Sequence, residues 1–148
     1  MGLFMDANGL PLSFTLFDGN QNEQPSMKPL EKEIIRDFKL SDFVVCTDAG
    51  LSSKQNRQYN SLGNRHFITT QSIKKLKKSL KEWALDPNGW KKPNSKQEYN
   101  LNKLDLDNDD SIYYKMRPIN EDKLEQNLFV TFSPKHLRYQ RQIRENQI

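Results

Sequence analysis

The sequence predicts a mixed α/β fold, and three observations carry that prediction. Segments of strand and helix character follow one another as β-β-α-β-α-β over the first 70 residues. A short continuous apolar run, Phe43-Val44-Val45-Cys46-Thr47, has the length and β-branching of a buried central strand. Beyond residue 85 the composition turns rich in Asn, Lys and Asp, which marks a polar insertion rather than further core.

Asp6-Ala7-Asn8-Gly9 is a turn signal. The apolar start at Leu3-Phe4-Met5 and the alternation Leu10, Leu12, Phe14, Leu16 flank it, so residues 2–6 and 10–17 read as a β-hairpin with one buried face. Met27, Leu30, Ile34, Ile35 and Phe38 recur at helical spacing, with Pro29 in the first turn, and predict a helix over 27–39. The 43–47 strand ends at Asp48-Ala49-Gly50. Ser52 or Ser53 caps the next helix, which runs to about Leu62 and is closed by Gly63. His66 to Thr70 is another strand. Ile73, Leu76, Leu80, Trp83 and Ala84 predict an amphipathic helix stopped by Pro87 and Gly89. Residues 86–111 are expected to form a solvated, mobile polar insertion. Ile112-Tyr113-Tyr114 and Leu128–Phe132 are strands, and Ser133-Pro134 starts a basic helix that runs to the last residue. Three regions result: 1–85, 86–111 and 112–148.

Composition bounds the function. Hydrophobic residues make up 34% of the 148, so the core is small or confined to part of the chain. The net charge of +4 is compatible with a polyanionic partner. A single cysteine, Cys46, excludes an internal disulfide and suits a reducing compartment; its place in the apolar strand predicts a core thiol. No apolar run approaches the roughly 20 residues that cross a bilayer, and the opening residues lack a signal-peptide pattern. A cytoplasmic location is expected.

Asp48 is the most informative side chain. A carboxylate directly after an apolar strand lies where α/β sheets place their chemistry. It has two readings, a ligand for a hard cation such as Mg²⁺ or a cap for the following helix. Asp105-Leu106-Asp107-Asn108-Asp109 starts like a calcium loop, but Asp110 stands where Gly is required and Met116 where Glu is required, so it reads as a solvated acidic loop. His66 and His136 have no ligand spacing to another His or Cys. The lysines of the amphipathic helix, Lys74, Lys75, Lys77, Lys78 and Lys81, form either a solvated face or a phosphate-contacting one. Trp90, beside Lys91 and Lys92, is placed to stack on a base.

Two stretches carry a resemblance. MGLFMDANGLPLSFTLFDGN, followed by Glu23 and the 27–39 helix, is one; VVCTDAGLSS with FITTQSIKKLKKSLKEWAL beyond it is the other. Together they resemble the catalytic domain of insertion-sequence DDE transposases, the large subgroup with a β-insertion in an RNase H-like fold. FVTFSPKHLRYQRQIRENQI is similar to a following segment in several members. About two-thirds of the chain is covered.

The resemblance implies an incomplete RNase H-like mixed sheet flanked by helices. It implies two aspartates and a glutamate holding two Mg²⁺ or Mn²⁺ ions roughly 4 Å apart, for cleaving and joining DNA phosphodiesters. It also implies transposon-end and target DNA as partners, and a homodimer in the complete enzyme. Asp48 matches the second carboxylate. The first belongs on a strand preceding GLFMD. The glutamate belongs in a Tyr-x-x-Arg-x-x-x-Glu context, from which Arg141 and Glu145 each stand one position too early after Tyr139. The expectation is a transposase fragment with one of three carboxylates, inactive alone. The alternative is a basic DNA-binding remnant without chemistry, using Lys74, Lys75, Lys77, Lys78, Lys81, Lys91 and Lys92. Without a preceding strand, residues 1–6 are expected to form an exposed sheet edge prone to self-association.

Overall fold

The structure, a computed structural model, describes residues 2–16 and 24–147. It is mixed α/β with several sheets, none of them closed among the described residues, and divides into two compact units, 1–75 and 76–148. Among the described residues no helix is long and apolar enough to cross a membrane.

In the first unit the predicted hairpin forms. Strand β1 (Gly2–Met5) pairs antiparallel with β2 (Pro11–Thr15). The turn closes because the Asp6 carboxylate accepts from the Asn8 and Leu10 amides at 2.8 and 2.9 Å, and Gly9 takes φ +82°. These amide bonds hold the Asp6 carboxyl below its ordinary value. The expected strand end at Phe17 lies outside the described residues. Its apolar face is not buried: Leu3, Met5, Leu10, Phe14 and Leu16 are all exposed.

Helix α1 (Met27–Phe38) buries Met27, Leu30, Glu31 and Ile34. It ends where Lys39 turns left-handed at φ 52° and the Leu40 amide reaches back to the Ile35 carbonyl at 3.1 Å. The chain continues through β3 (Phe43–Thr47), α2 (Lys54–Tyr59) and β4 (Arg65–Thr69). Ser53 caps α2 by accepting from the Asn56 amide at 3.2 Å. Strands β3 and β4 pair in parallel, Phe43 opposite Arg65 through Thr47 opposite Thr69.

Two expectations fail here. Among the described residues the elements do not join one sheet: β1–β2 and β3–β4 are separate two-stranded sheets. Strand β3 is therefore an edge, not a central strand. Only Val45 on it is buried, while Val44 and Cys46 are exposed, so Cys46 is not a core thiol. The reason is the pleat. Successive side chains leave opposite faces, and only one face of this pair is covered.

The second unit is built on a four-stranded antiparallel sheet ordered β6-β5-β7-β8, from β5 (Trp90–Lys91), β6 (Glu98–Tyr99), β7 (Tyr113–Glu121) and β8 (Leu124–Phe132). Helix α3 (Lys78–Leu85) precedes the sheet and α4 (Pro134–Glu145) follows it. The expected single helix through residues 73–84 is broken. Ile73–Lys75 is a 3₁₀ turn, and Lys77 is extended at ψ 150° before α3 starts. Helix α4 is capped as expected by Ser133, whose hydroxyl accepts from the His136 amide at 3.3 Å, but it ends at Glu145.

Residues 86–111 are almost all exposed or half-buried, yet the segment also contributes to the core. They supply Trp90, 3% exposed, which with Ala84, Tyr113 and Val130 makes the core of this unit; Leu101 and Leu104 pack against it. The Trp90 indole N–H donates to the Asp86 carbonyl at 2.8 Å, and its ring meets Phe132 edge-on. Few apolar residues in this segment suffice because one of them is an indole. The acidic loop is not merely solvated: the Arg138 guanidinium of α4 donates to the Leu106 and Asp109 carbonyls and to the Asp110 carboxylate.

Candidate functional site around Asp48

Asp48 follows the last residue of β3, at the carboxyl end of a parallel strand pair. Its backbone is extended, and its side chain caps the short 3₁₀ helix Ala49–Leu51. Oδ1 accepts from the Gly50 amide at 2.9 Å and the Leu51 amide at 3.3 Å. A Cβ at Gly50 would stand 3.1 Å from Oδ1, so a larger residue there requires the carboxylate to shift by a few tenths of an ångström.

The main chain at Asp48 is tied to β4. Thr47 Oγ1 donates to Thr69 Oγ1 at 3.1 Å, and Thr69 Oγ1 donates to the Asp48 carbonyl at 3.1 Å. On the other side the Asn56 side-chain amide, 3% exposed, donates to the Leu51 carbonyl at 3.0 Å and the Gln24 carbonyl at 3.1 Å. Two threonines and an asparagine thus clamp the loop that carries the carboxylate. Nothing in the sequence periodicity marked them, because a polar side chain in a short helix or at a strand end has no pattern of its own.

The result is an exposed carboxylate with Oδ1 engaged by backbone amides and, among the described residues, Oδ2 taking no hydrogen bond. Both readings of Asp48 are thus compatible with the geometry: it caps the next turn, and one oxygen stays available. Among the described residues no group of three or more His, Cys, Asp or Glu side chains converges on a common point. A hard divalent cation takes several oxygen ligands. One carboxylate, half engaged, does not fit a two-metal centre.

The candidate lysines fall in both units. Lys74 and Lys75 belong to the first unit, while Lys77, Lys78, Lys81, Lys91 and Lys92 belong to the second. Lys74, Lys75 and Lys81 are exposed. Lys77 pairs with Glu121 at 3.2 Å, Lys78 with Glu82 at 4.0 Å, and Lys91 with Glu98 at 3.7 Å. Lys92 lies over the Tyr99 and Tyr113 rings, 3.9 Å from Asp109, and the Tyr113 hydroxyl beside it raises its pKa. Lys91 and Lys92 thus each have an acidic neighbour in this unit, and Trp90, being buried, cannot stack on a base. Sequence reading also missed Lys115, 4% exposed, whose ammonium donates to the Trp83 and Asp86 carbonyls at 3.1 and 2.6 Å against two indole rings.

No family model, curated protein or solved structure matches the chain.

Proposed function

We propose that this chain is part of a DDE-type insertion-sequence transposase, with Asp48 as the second of its three metal-binding carboxylates. In the complete RNase H-like domain those carboxylates hold Mg²⁺ or Mn²⁺, and the enzyme, as a dimer in the cytoplasm, cuts transposon ends and joins them to target DNA. The reading is supported above all by one juxtaposition. The aspartate of VVCTDAG ends a strand of a parallel pair, is exposed, and keeps one carboxylate oxygen free while Gly50 closes on the other. The sequence resemblance of the flanking blocks supports it separately.

One carboxylate does not make the metal centre, so the chain by itself neither cleaves nor joins DNA. The test is to sequence the genomic DNA on both sides of the reading frame and translate it in every frame. An Asp-bearing strand upstream and a Glu-bearing helix downstream are expected. Unrelated flanks would overturn the reading.

The exposed Lys74, Lys75 and Lys81 favour a second reading, a basic module that binds DNA without chemistry. A titration of duplex affinity against salt tests it. A steep negative slope of log K on log salt supports phosphate contacts, and no binding at low salt removes them.

A further inference from the structure

The interior of the first unit holds a carboxyl group that the Asp48 site does not use. Glu31 of α1 and Asn60, which follows α2, are each 1% exposed. The Asn60 Nδ2 donates to Glu31 Oε1 at 2.9 Å. The two other polar atoms of the pair, Glu31 Oε2 and Asn60 Oδ1, are buried and have no hydrogen-bond partner among the described residues. While Glu31 is ionised, both are acceptors and neither can serve the other. A protonated carboxyl carries one O–H donor. A proton on Oε2 would give the pair the donor that Asn60 Oδ1 lacks, and would leave Oε2 no longer a bare buried acceptor.

We propose that Glu31 is held as a neutral acid in the folded chain, bonded to Asn60, and that loss of its proton at higher pH loosens α1 from the end of α2.

Among the described residues, the cations acting on Glu31 are Arg65 of β4 and Lys28 of α1, and both favour its ionised form. Each is also engaged with the Tyr59 ring, Arg65 at 4.1 Å and Lys28 at 5.6 Å from its centroid. Burial acts the other way and dominates, raising the Glu31 pKa above 4.5 against the Asn60, Arg65 and Lys28 contributions. A raised carboxyl pKa gives stability that is complete below the unfolded value and is lost as pH climbs through the folded one. The first unit is thus expected to weaken from mildly acidic toward alkaline pH.

The test uses the full chain with ¹³C-labelled glutamate carboxyls. One resonance, assigned to Glu31 by through-bond connection to its own backbone, should titrate above the others, with a protonated-acid carbonyl band in the infrared that persists to higher pH than theirs. Titration together with the other glutamates would overturn the proposal. Glu31→Gln supplies an N–H donor in place of the acid O–H. It should keep the melting temperature at neutral pH and abolish the loss of α1 hydrogen-exchange protection as pH rises. A marked fall in melting temperature at neutral pH would instead mean an ionised Glu31 paired with Arg65, and would sink the idea. If that variant does not fold, the wild-type titration still decides.

Discussion

The two units solve the same problem, burying apolar surface with few apolar residues, to different degrees. The second concentrates Trp90, Tyr113, Ala84 and Val130 in one cluster, flanked by Trp83, Leu101 and Leu104. The first buries Met27, Leu30, Ile34 and Val45 but leaves Leu3, Met5, Phe14, Val44 and Ile68 exposed on two separate two-stranded sheets. The difference follows from connectivity. Strands β7 and β8 adjoin in sequence and form a hairpin nine residues long on each side, turned at Asp122 and Lys123, both with positive φ. Strands β3 and β4 pair across a helix and offer a second face that nothing described here covers.

The largest test of this contrast lies in the second unit. Trp90→Ala removes the centre of its core and should cost about 3–5 kcal/mol, measured by denaturant unfolding. The β7–β8 amides should lose hydrogen-exchange protection while those of α1 keep theirs. Equal loss in both units would break the comparison.

A smaller effect comes from acid. Asp109 accepts from the Tyr113 hydroxyl and from Ser111, which lowers its pKa from 3.8 to about 2. A depressed carboxylate gives stability present above the unfolded value and lost as pH falls through the folded one. The second unit should therefore melt at lower temperature as pH drops from about 4 toward 2, and Asp109→Asn should flatten that slope. Glu31 in the first unit has the opposite sign, so opposed pH profiles of the two units sharpen the contrast.

The exposed hairpin face predicts association. Concentration-dependent dimers or larger species should appear in sedimentation velocity, and Phe14→Ser, at a residue 64% exposed, should reduce them with little change in unfolding. A clean monomer of the wild-type chain at high concentration would count against it. The smallest effect is expected at Gly50→Ala. Stability should change by less than about 1 kcal/mol, as for most exposed sites. The amide resonances of residues 50 and 51 should nevertheless shift as the added methyl displaces the Asp48 carboxylate.

Much of the local structure was legible. The hairpin around Asp6–Gly9, helix α1, the strand ending at Asp48, the Ser53 and Ser133 caps and the place of Asp48 all follow from short-range signals: turn chemistry, periodicity and capping. The long β7–β8 hairpin was half missed, because Pro118 and the charged residues around it interrupt the alternation. A proline is tolerated there since β5 reaches β7 only at Tyr114, leaving Pro118 with a single neighbouring strand.

Sequence alone determined the Asp6–Gly9 turn, the starts of α1, α2 and α4, and that a carboxylate stands at the end of a strand with a glycine two residues on. Only the tertiary structure decided which apolar residues are buried, that Trp90 is core rather than surface, that the lysines fall in two units, and that Glu31, Asn60 and Lys115 lie inside. Capping and turns depend on neighbours a few residues away. Burial depends on which face finds a partner from elsewhere in the chain, and no local pattern encodes that.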